Sequence, residues 1–332
     1  MAVYTDVSDE ELEAFAAQYD LGAVVSCKGI AEGVENTNYL LQTLPDGAAA
    51  PDNYILTLYE KRVSPQDLPF FLGLLEHLAA HGISCPTPVH GRDGVALRQL
   101  CGKPAVIVSF LSGMWPKRST PQQCGALGTA LAQLHVAGAD FPMRRANDMS
   151  FDGWRKLLAA SRDRAGEIQP GLADILTAEL DYLAANWPQD LPTGVIHADL
   201  FPDNVFFLGD KLSGLIDFYF ACNDFLTYDL GICLNAWCFE ADGSFNITKA
   251  RALLRRYGEV RPLTPAEFAA LPLLARGSAL RFLLTRLYDK LYHDEEALVR
   301  PKDPLEFLTR LRFHQTVEGP GAYGLDETLA GP

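Results

Sequence analysis

The stretch Val195-Ile196-His197-Ala198-Asp199-Leu200-Phe201-Pro202-Asp203-Asn204, followed by the apolar runs Val205–Leu208 and Leu212–Phe218, decides the reading of this chain. Gly209-Asp210-Lys211 between the two runs has the chemistry of a hairpin turn. In either simple register of that hairpin, Asn204 comes within about two residues of Asp217 across the ladder. An amide oxygen and a carboxylate then stand side by side, beneath a loop that holds Asp199. The set suits a hard, oxygen-seeking cation such as Mg²⁺, which takes one or two protein ligands and leaves the rest to phosphate and water. Turn preference alone explains Asp, Asn and Pro at strand ends. A His-x-Asp with its Asn arises by chance in on the order of 1% of chains this long, and the Asp after the hairpin makes coincidence rarer still. His197 is expected to be structural, hydrogen-bonded to backbone near Asp217.

Upstream the pattern is that of a small antiparallel sheet with helices. Ser8 and Glu11 form a capping box before Leu12, Phe15 and Tyr19. Asn38–Leu41 and Tyr54–Tyr59 read as strands around the turn at Pro45-Asp46-Gly47. Leu68, Phe71, Leu72, Leu75 and Leu78 make a helical stripe ended by His81-Gly82. Val95–Leu100 and Ala105–Phe110 complete the sheet. Thr120-Pro121 then starts a helix, and others are expected at about 172–187, 228–240, 248–258, 265–292 with a break near Pro272, and 304–316. The tail after Gly319 reads as loose. The fold class is therefore α+β in two lobes, the first at 1–110 and the second, mainly α, at 111–332.

Composition narrows the function. A formal charge of -14 with no local Lys/Arg stripe argues against nucleic acid. The acidic start lacks a secretory pattern, no membrane-spanning run is apparent, and the seven scattered cysteines show no paired metal spacing. A cytoplasmic protein with reduced thiols is expected.

The pattern H-x-D-x-x-x-x-N, with Ile216-Asp217-Phe218 after it, resembles the catalytic loop and metal-binding Asp of the protein-kinase-like fold. Ala198 where protein kinases carry Arg, and Tyr219 where they carry Gly, resemble instead the aminoglycoside phosphotransferase and choline kinase superfamily. Leu127–His135 and Tyr228-Asp229-Leu230-Gly231 resemble its central helix and the Asp-Leu segment after its metal Asp. The stretches KGIAEGVENTNYLL (28–41), YILTLYEKR (54–62), DLPFFLGLLEHLAAHGI (67–83), HADLFPDNVFF (197–207), GLIDFYFA (214–221) and LNAWCF (234–239) are together similar to the bacterial homoserine kinases of this fold. That resemblance implies transfer of the γ-phosphoryl group of ATP to the side-chain hydroxyl of L-homoserine, toward threonine. It implies Asp199 as proton acceptor, with Asn204 and Asp217 holding Mg²⁺ on the phosphates. A kinase of choline, ethanolamine or another small alcohol is the alternative, with Trp115, Tyr219, Trp237 and Phe239 available for a cationic substrate; a catalytically inactive kinase-like module is a third.

For the nucleotide, the segment Gly29–Asn38 takes the place of a phosphate-covering loop, making Gly33, Glu35, Asn36, Thr37 and Asn38 the expected phosphate contacts. Thr57 stands where the third strand should present a cation, so Lys61 or Arg62 is the expected substitute and Glu76 the candidate helix partner. The hinge is Ser109–Gly113, with Ser109 and Leu111 offering main-chain groups to adenine. On the helix after Pro272, Arg276 falls on the apolar face and Arg281 on its shoulder. A buried cation needs a partner: an internal carboxylate such as Asp224 or Asp229, or the α-carboxylate of an amino-acid substrate. Arg276, Arg281 and Tyr219 are the expected substrate-binding residues.

Overall fold

The computed structural model describes residues 4–30, 36–60, 63–293 and 300–325. The chain divides into two compact units, Met1–Ser112 and Gly113–Pro332.

In the first unit, α1 (Asp9–Ala16) begins with the reciprocal Ser8–Glu11 capping box and buries Leu12 and Phe15. The strands β1 (Ala23–Gly29), β2 (Thr37–Leu44), β3 (Asp52–Leu58), β4 (Arg98–Leu100) and β5 (Lys103–Ser109) form one antiparallel sheet in the order β1-β2-β3-β5-β4. Between β3 and β4 lies α2 (Leu68–Ala80), whose expected stripe is buried. Leu12, Phe15 and Tyr19 close over Leu41, Leu56 and Ile107. The strand expected from Val95 shrinks to β4, because Gly91 and Gly94 fold the chain into a turn and leave Val95 exposed.

The second unit is mainly helical: α3 (Pro121–Ala137), α4 (Phe151–Ser161), α5 (Leu172–Asn186), α6 (Leu226–Trp237), α7 (Ile247–Gly258), α8 (Pro265–Leu291) and α9 (Leu305–Gln315). Two short antiparallel ladders interrupt them. One pairs β6 (Thr193–Ile196) with β9 (Cys222–Phe225); the other is the hairpin β7 (Val205–Leu208) and β8 (Lys211–Leu215). In the hairpin Val205 faces Leu215, and Ile216 N–H donates to Asn204 C=O at 3.0 Å. Asn204 and Asp217 are thereby delivered to the same end of the ladder.

Helix α8 is the scaffold, packing against α4, α5, α6 and α9. Among the described residues it alone has the length and apolarity of a membrane span. Leu274, Leu280, Leu283, Leu284 and Leu287 are buried in the unit's own core. It runs through Pro272 without the expected break: the ring sits on a half-buried side, and the missing N–H forfeits a single backbone bond. Two glycines permit close helix packing. A Cβ at Gly231 would stand 2.9 Å from Ala275 N on α8, and one at Gly128 would stand 2.1 Å from Leu253 O on α7. The tail is ordered further than expected, since Tyr323 is buried and its hydroxyl lies 2.8 Å from His314 Nδ1.

Candidate active site

Strand β6 delivers the chain to His197, and from there most backbone groups are hydrogen-bonded. Asp229, in the first turn of α6, accepts from His197 N–H at 2.8 Å and Ala198 N–H at 2.9 Å, one on each oxygen. Arg281 Nη1 donates to Ala198 C=O at 2.6 Å, and Trp237 Nε1 to Leu200 C=O at 2.7 Å. Asp199 N–H donates to His197 Nδ1 at 3.3 Å. Asn204 Nδ2 closes the loop from below, donating to Asp199 C=O at 2.8 Å and to Asp199 Oδ2 at 3.2 Å. Such over-determination is needed, because Ala198 has φ of 64°. A non-glycine residue in the left-handed region is disfavoured by about 1–2 kcal/mol, and these bonds hold it there.

His197 is a brace. Its Nε2 lies 2.9 Å from Ile216 C=O, so with Nδ1 accepting from Asp199 N–H the ring is the neutral Nε2–H tautomer. Burial pushes its pKa down to about 4, which keeps it neutral. Asp229 is also fully buried, and burial raises its pKa. His135, His197 and the donated N–H groups outweigh that, holding the carboxyl below its ordinary range. His135 Nε2 lies 3.2 Å from Asp229, and its Nδ1 lies 2.8 Å from the Tyr257 hydroxyl, a contact that the close α3–α7 packing at Gly128 allows.

The Asn204 amide is oriented by its own nitrogen. With Nδ2 spent on Asp199, Oδ1 accepts no hydrogen bond among the described residues and is not sealed from solvent. Asp217 follows β8 in the left-handed region, at φ of 65°, and starts the 3-10 turn Phe218–Phe220 that carries Tyr219. A neutral oxygen and a carboxylate at one ladder end fit Mg²⁺, which prefers few protein oxygens and room for phosphate and water.

Residues 26–263 match the model of the phosphotransferase enzyme family. The chain belongs to that family. It is 65% identical to a homoserine kinase of Paramagnetospirillum magneticum, over 98% of this chain and all of that one. It is 63% identical to a homoserine kinase of Rhodospirillum rubrum, over 98% of this chain and 99% of that one. Among solved structures, a choline kinase from Cryptosporidium parvum superposes with a TM-score of 0.67 at 14% identity, covering 97% of this chain and 98% of the other. The fold of this phosphotransferase is thus the protein-kinase-like α+β fold.

Several expected site residues of the phosphotransferase have other employment. Arg276 is not available to a substrate carboxylate: its planar fork grips Glu179 of α5 through Nε and Nη2, stacked 3.9 Å from the Tyr182 ring centroid. Gln315 also donates to Glu179, at 2.7 Å. In the first unit Thr37 is fully buried. Its hydroxyl accepts from Tyr4 and Thr5 N–H and donates to Glu60 at 2.7 Å. Asn36 Oδ1 accepts from Glu60 N–H, and Asn38 Oδ1 accepts from the Thr57 hydroxyl at 2.8 Å. The Thr37 hydroxyl and the amide oxygens of Asn36 and Asn38 therefore knit strand ends together. Gly33, Glu35, Lys61 and Arg62 lie outside the described residues. Glu76 pairs with His90 on the surface. Lys103, which opens β5, bonds both Glu60 and Thr5. Ser109 spends its N–H and hydroxyl on Thr87, whereas the Leu111 main chain makes no hydrogen bond among the described residues.

Asp229, Trp237 and Arg281 are the loop-holding residues that spacing alone did not assign. Asp229 carried a signal, the acid of Tyr228-Asp229-Leu230-Gly231. For Trp237 the signal was its place in the LNAWCF stretch, which does not say what its ring nitrogen bonds.

Proposed function

We propose that this phosphotransferase is an ATP-dependent homoserine kinase, forming O-phospho-L-homoserine on the route to threonine. The observation that carries the reading is near-complete coverage at 65% identity by a homoserine kinase. The loop geometry supports it, with Asp199, Asn204 and Asp217 all present. Asp199 accepts the proton of the substrate hydroxyl and orients its oxygen in line with the γ-phosphorus. The new O–P bond forms as the bond from phosphorus to the β,γ-bridging oxygen breaks, and ADP leaves with that electron pair. Asn204 Oδ1 and the Asp217 carboxylate would hold Mg²⁺, which when bound neutralises charge on the phosphates. The neutral state of His197 keeps a competing cation out of the loop floor. The unspent main chain of Leu111 suits the adenine edge. All seven cysteines are free, which suits the reducing cytoplasm where ATP is abundant.

A coupled ADP-release assay with L-homoserine, L-serine, choline and ethanolamine, with and without Mg²⁺, tests the reading. Homoserine should be preferred over choline by about a hundredfold or more in kcat/KM, since a site built for polar groups rejects substrates lacking them. Activity should vanish with chelator. Equal or faster turnover of choline would overturn the assignment.

A further inference from the structure

Arg281 is spent only in part. Its guanidinium offers five N–H donors, yet among the described residues its one well-aligned protein acceptor is Ala198 C=O. Its side chain is 2% exposed, and Nε is buried with no partner. The rings of Phe220 and Phe282, with centroids 5.5 and 4.6 Å from the guanidinium carbon, flank it. The Tyr228 hydroxyl lies beside it, also buried and without an aligned hydrogen bond. Burial holds that phenol protonated, hence able to donate. Unmet donors in an interior are disfavoured, and two side by side make a receptor for an acceptor-rich anion.

The complement is Asp224 on β9. Its oxygens accept from Phe225 N–H at 2.7 Å and from Asn147 Nδ2 at 2.6 Å. Each keeps acceptor capacity, and the residue is only half-buried. Asp224 stands on β9 opposite Gly194 of β6, the strand that leads into the loop, and close enough to Arg281 to feel its charge, yet no ion pair joins them. Acid and cation held near but apart match the two ends of an amino-acid backbone. Arg281 is also bonded one residue before Asp199, and the carboxylate and hydroxyl of homoserine are about 5 Å apart when extended.

We infer that Arg281 and Tyr228 receive the α-carboxylate of the amino-acid substrate, while Asp224, oriented by Asn147, receives its α-ammonium. The inference rests on the homoserine reading and names the groups that enforce it. It also separates two of the arginines of α8: Arg276 is structural, Arg281 discriminates.

The test uses full-length wild type, Tyr228→Phe, Asp224→Asn and Arg281→Met. Turnover is measured by ADP release, and competitive inhibition constants are measured, for homoserine, 3-aminopropan-1-ol (no carboxylate) and 4-hydroxybutanoate (no ammonium). Tyr228→Phe should weaken homoserine and hydroxybutanoate by about tenfold and leave aminopropanol unchanged. Asp224→Asn should weaken homoserine and aminopropanol by about thirtyfold or more and spare hydroxybutanoate. Arg281→Met follows the Tyr228 pattern more strongly, and since it also frees Ala198 C=O it is judged only beside a thermal melt. The Tyr228 hydroxyl makes no hydrogen bond to the loop, so Tyr228→Phe decides the carboxylate end even if Arg281→Met unfolds. Equal weakening of all three compounds, or of none, in Tyr228→Phe and Asp224→Asn overturns the inference. Wild-type turnover of homoserine reports separately on the reaction itself: if it fails, the reading above fails, whatever the variants do.

Discussion

Two regions of the molecule are dense in short polar side chains and use them in opposite ways. Around His197–Asn204, polar groups fix the backbone so completely that a left-handed alanine is tolerated, and the Asn204 amide oxygen is left unspent. At the ends of β2 and β3, Asn36, Thr37, Asn38 and Thr57 bond one another, Glu60 and the N-terminal segment. The difference lies in what is left over after internal hydrogen bonds are counted. A site exists where the protein's own donors and acceptors do not exhaust one another.

The largest blow to the contrast is Asp229→Ala. Removing a fully buried carboxylate strands His197 N–H, Ala198 N–H and His135 Nε2. We expect a loss of about 3–5 kcal/mol in the stability of the second unit, with turnover falling further than the melt explains. Denaturant unfolding followed by a residual-activity assay checks it, and an unchanged midpoint would refute the loop-anchor role.

Acidification comes next. His197 has a folded pKa of about 4, below its unfolded value near 6.5, so between those pH values the unfolded state binds more protons. Stability is then fully present above about pH 6.5 and is lost as pH falls toward 4, by about 3 kcal/mol for this group. His314, buried and pushed down to about 3, acts in the same direction. In the first unit Glu60 feels burial most, which raises its pKa. Bonds from Lys103, Thr37 and Thr5 nonetheless hold it below the ordinary Glu range, so its contribution is lost only as pH falls below that range. Melting curves from pH 8 to 4 should show the second unit weakening first; the reverse order would contradict the assignment.

Much of the active loop was legible because its chemistry requires certain atoms at certain spacings. The hairpin followed from its turn residues but its register did not: two were open, and the ladder starts β8 at Lys211 and shifts register between Phe206 and Phe207, while the contact of His197 with Ile216 C=O lies beside Asp217 as expected. The strand-end bonds of the first unit's polar cluster were not legible, because serving a phosphate and capping a strand end use the same residue types. Arg276 on an apolar face announced that a partner existed, but Glu179 lies 97 residues away and no local pattern points to it. Helix α4 was missed because only Trp154, Leu158 and Ser161 of it are buried, too few to mark a period.

The smallest expected effect tests the other side of the comparison. Thr37→Val keeps shape and removes the hydroxyl, so stability should drop by about 1–3 kcal/mol while the KM for ATP stays within about twofold. A large rise in that KM with an unchanged melt would restore Thr37 to the phosphate site.

The central claim is that the loop exists to aim Asp199 at a substrate hydroxyl, and Asp199→Asn tests it most directly. Its turnover of homoserine should fall about a thousandfold, while calorimetric affinity for Mg²⁺-ATP and the melting temperature stay close to wild type, because a proton acceptor is lost but no phosphate ligand. A variant that keeps more than about a tenth of wild-type turnover, with its fold intact, would contradict the account.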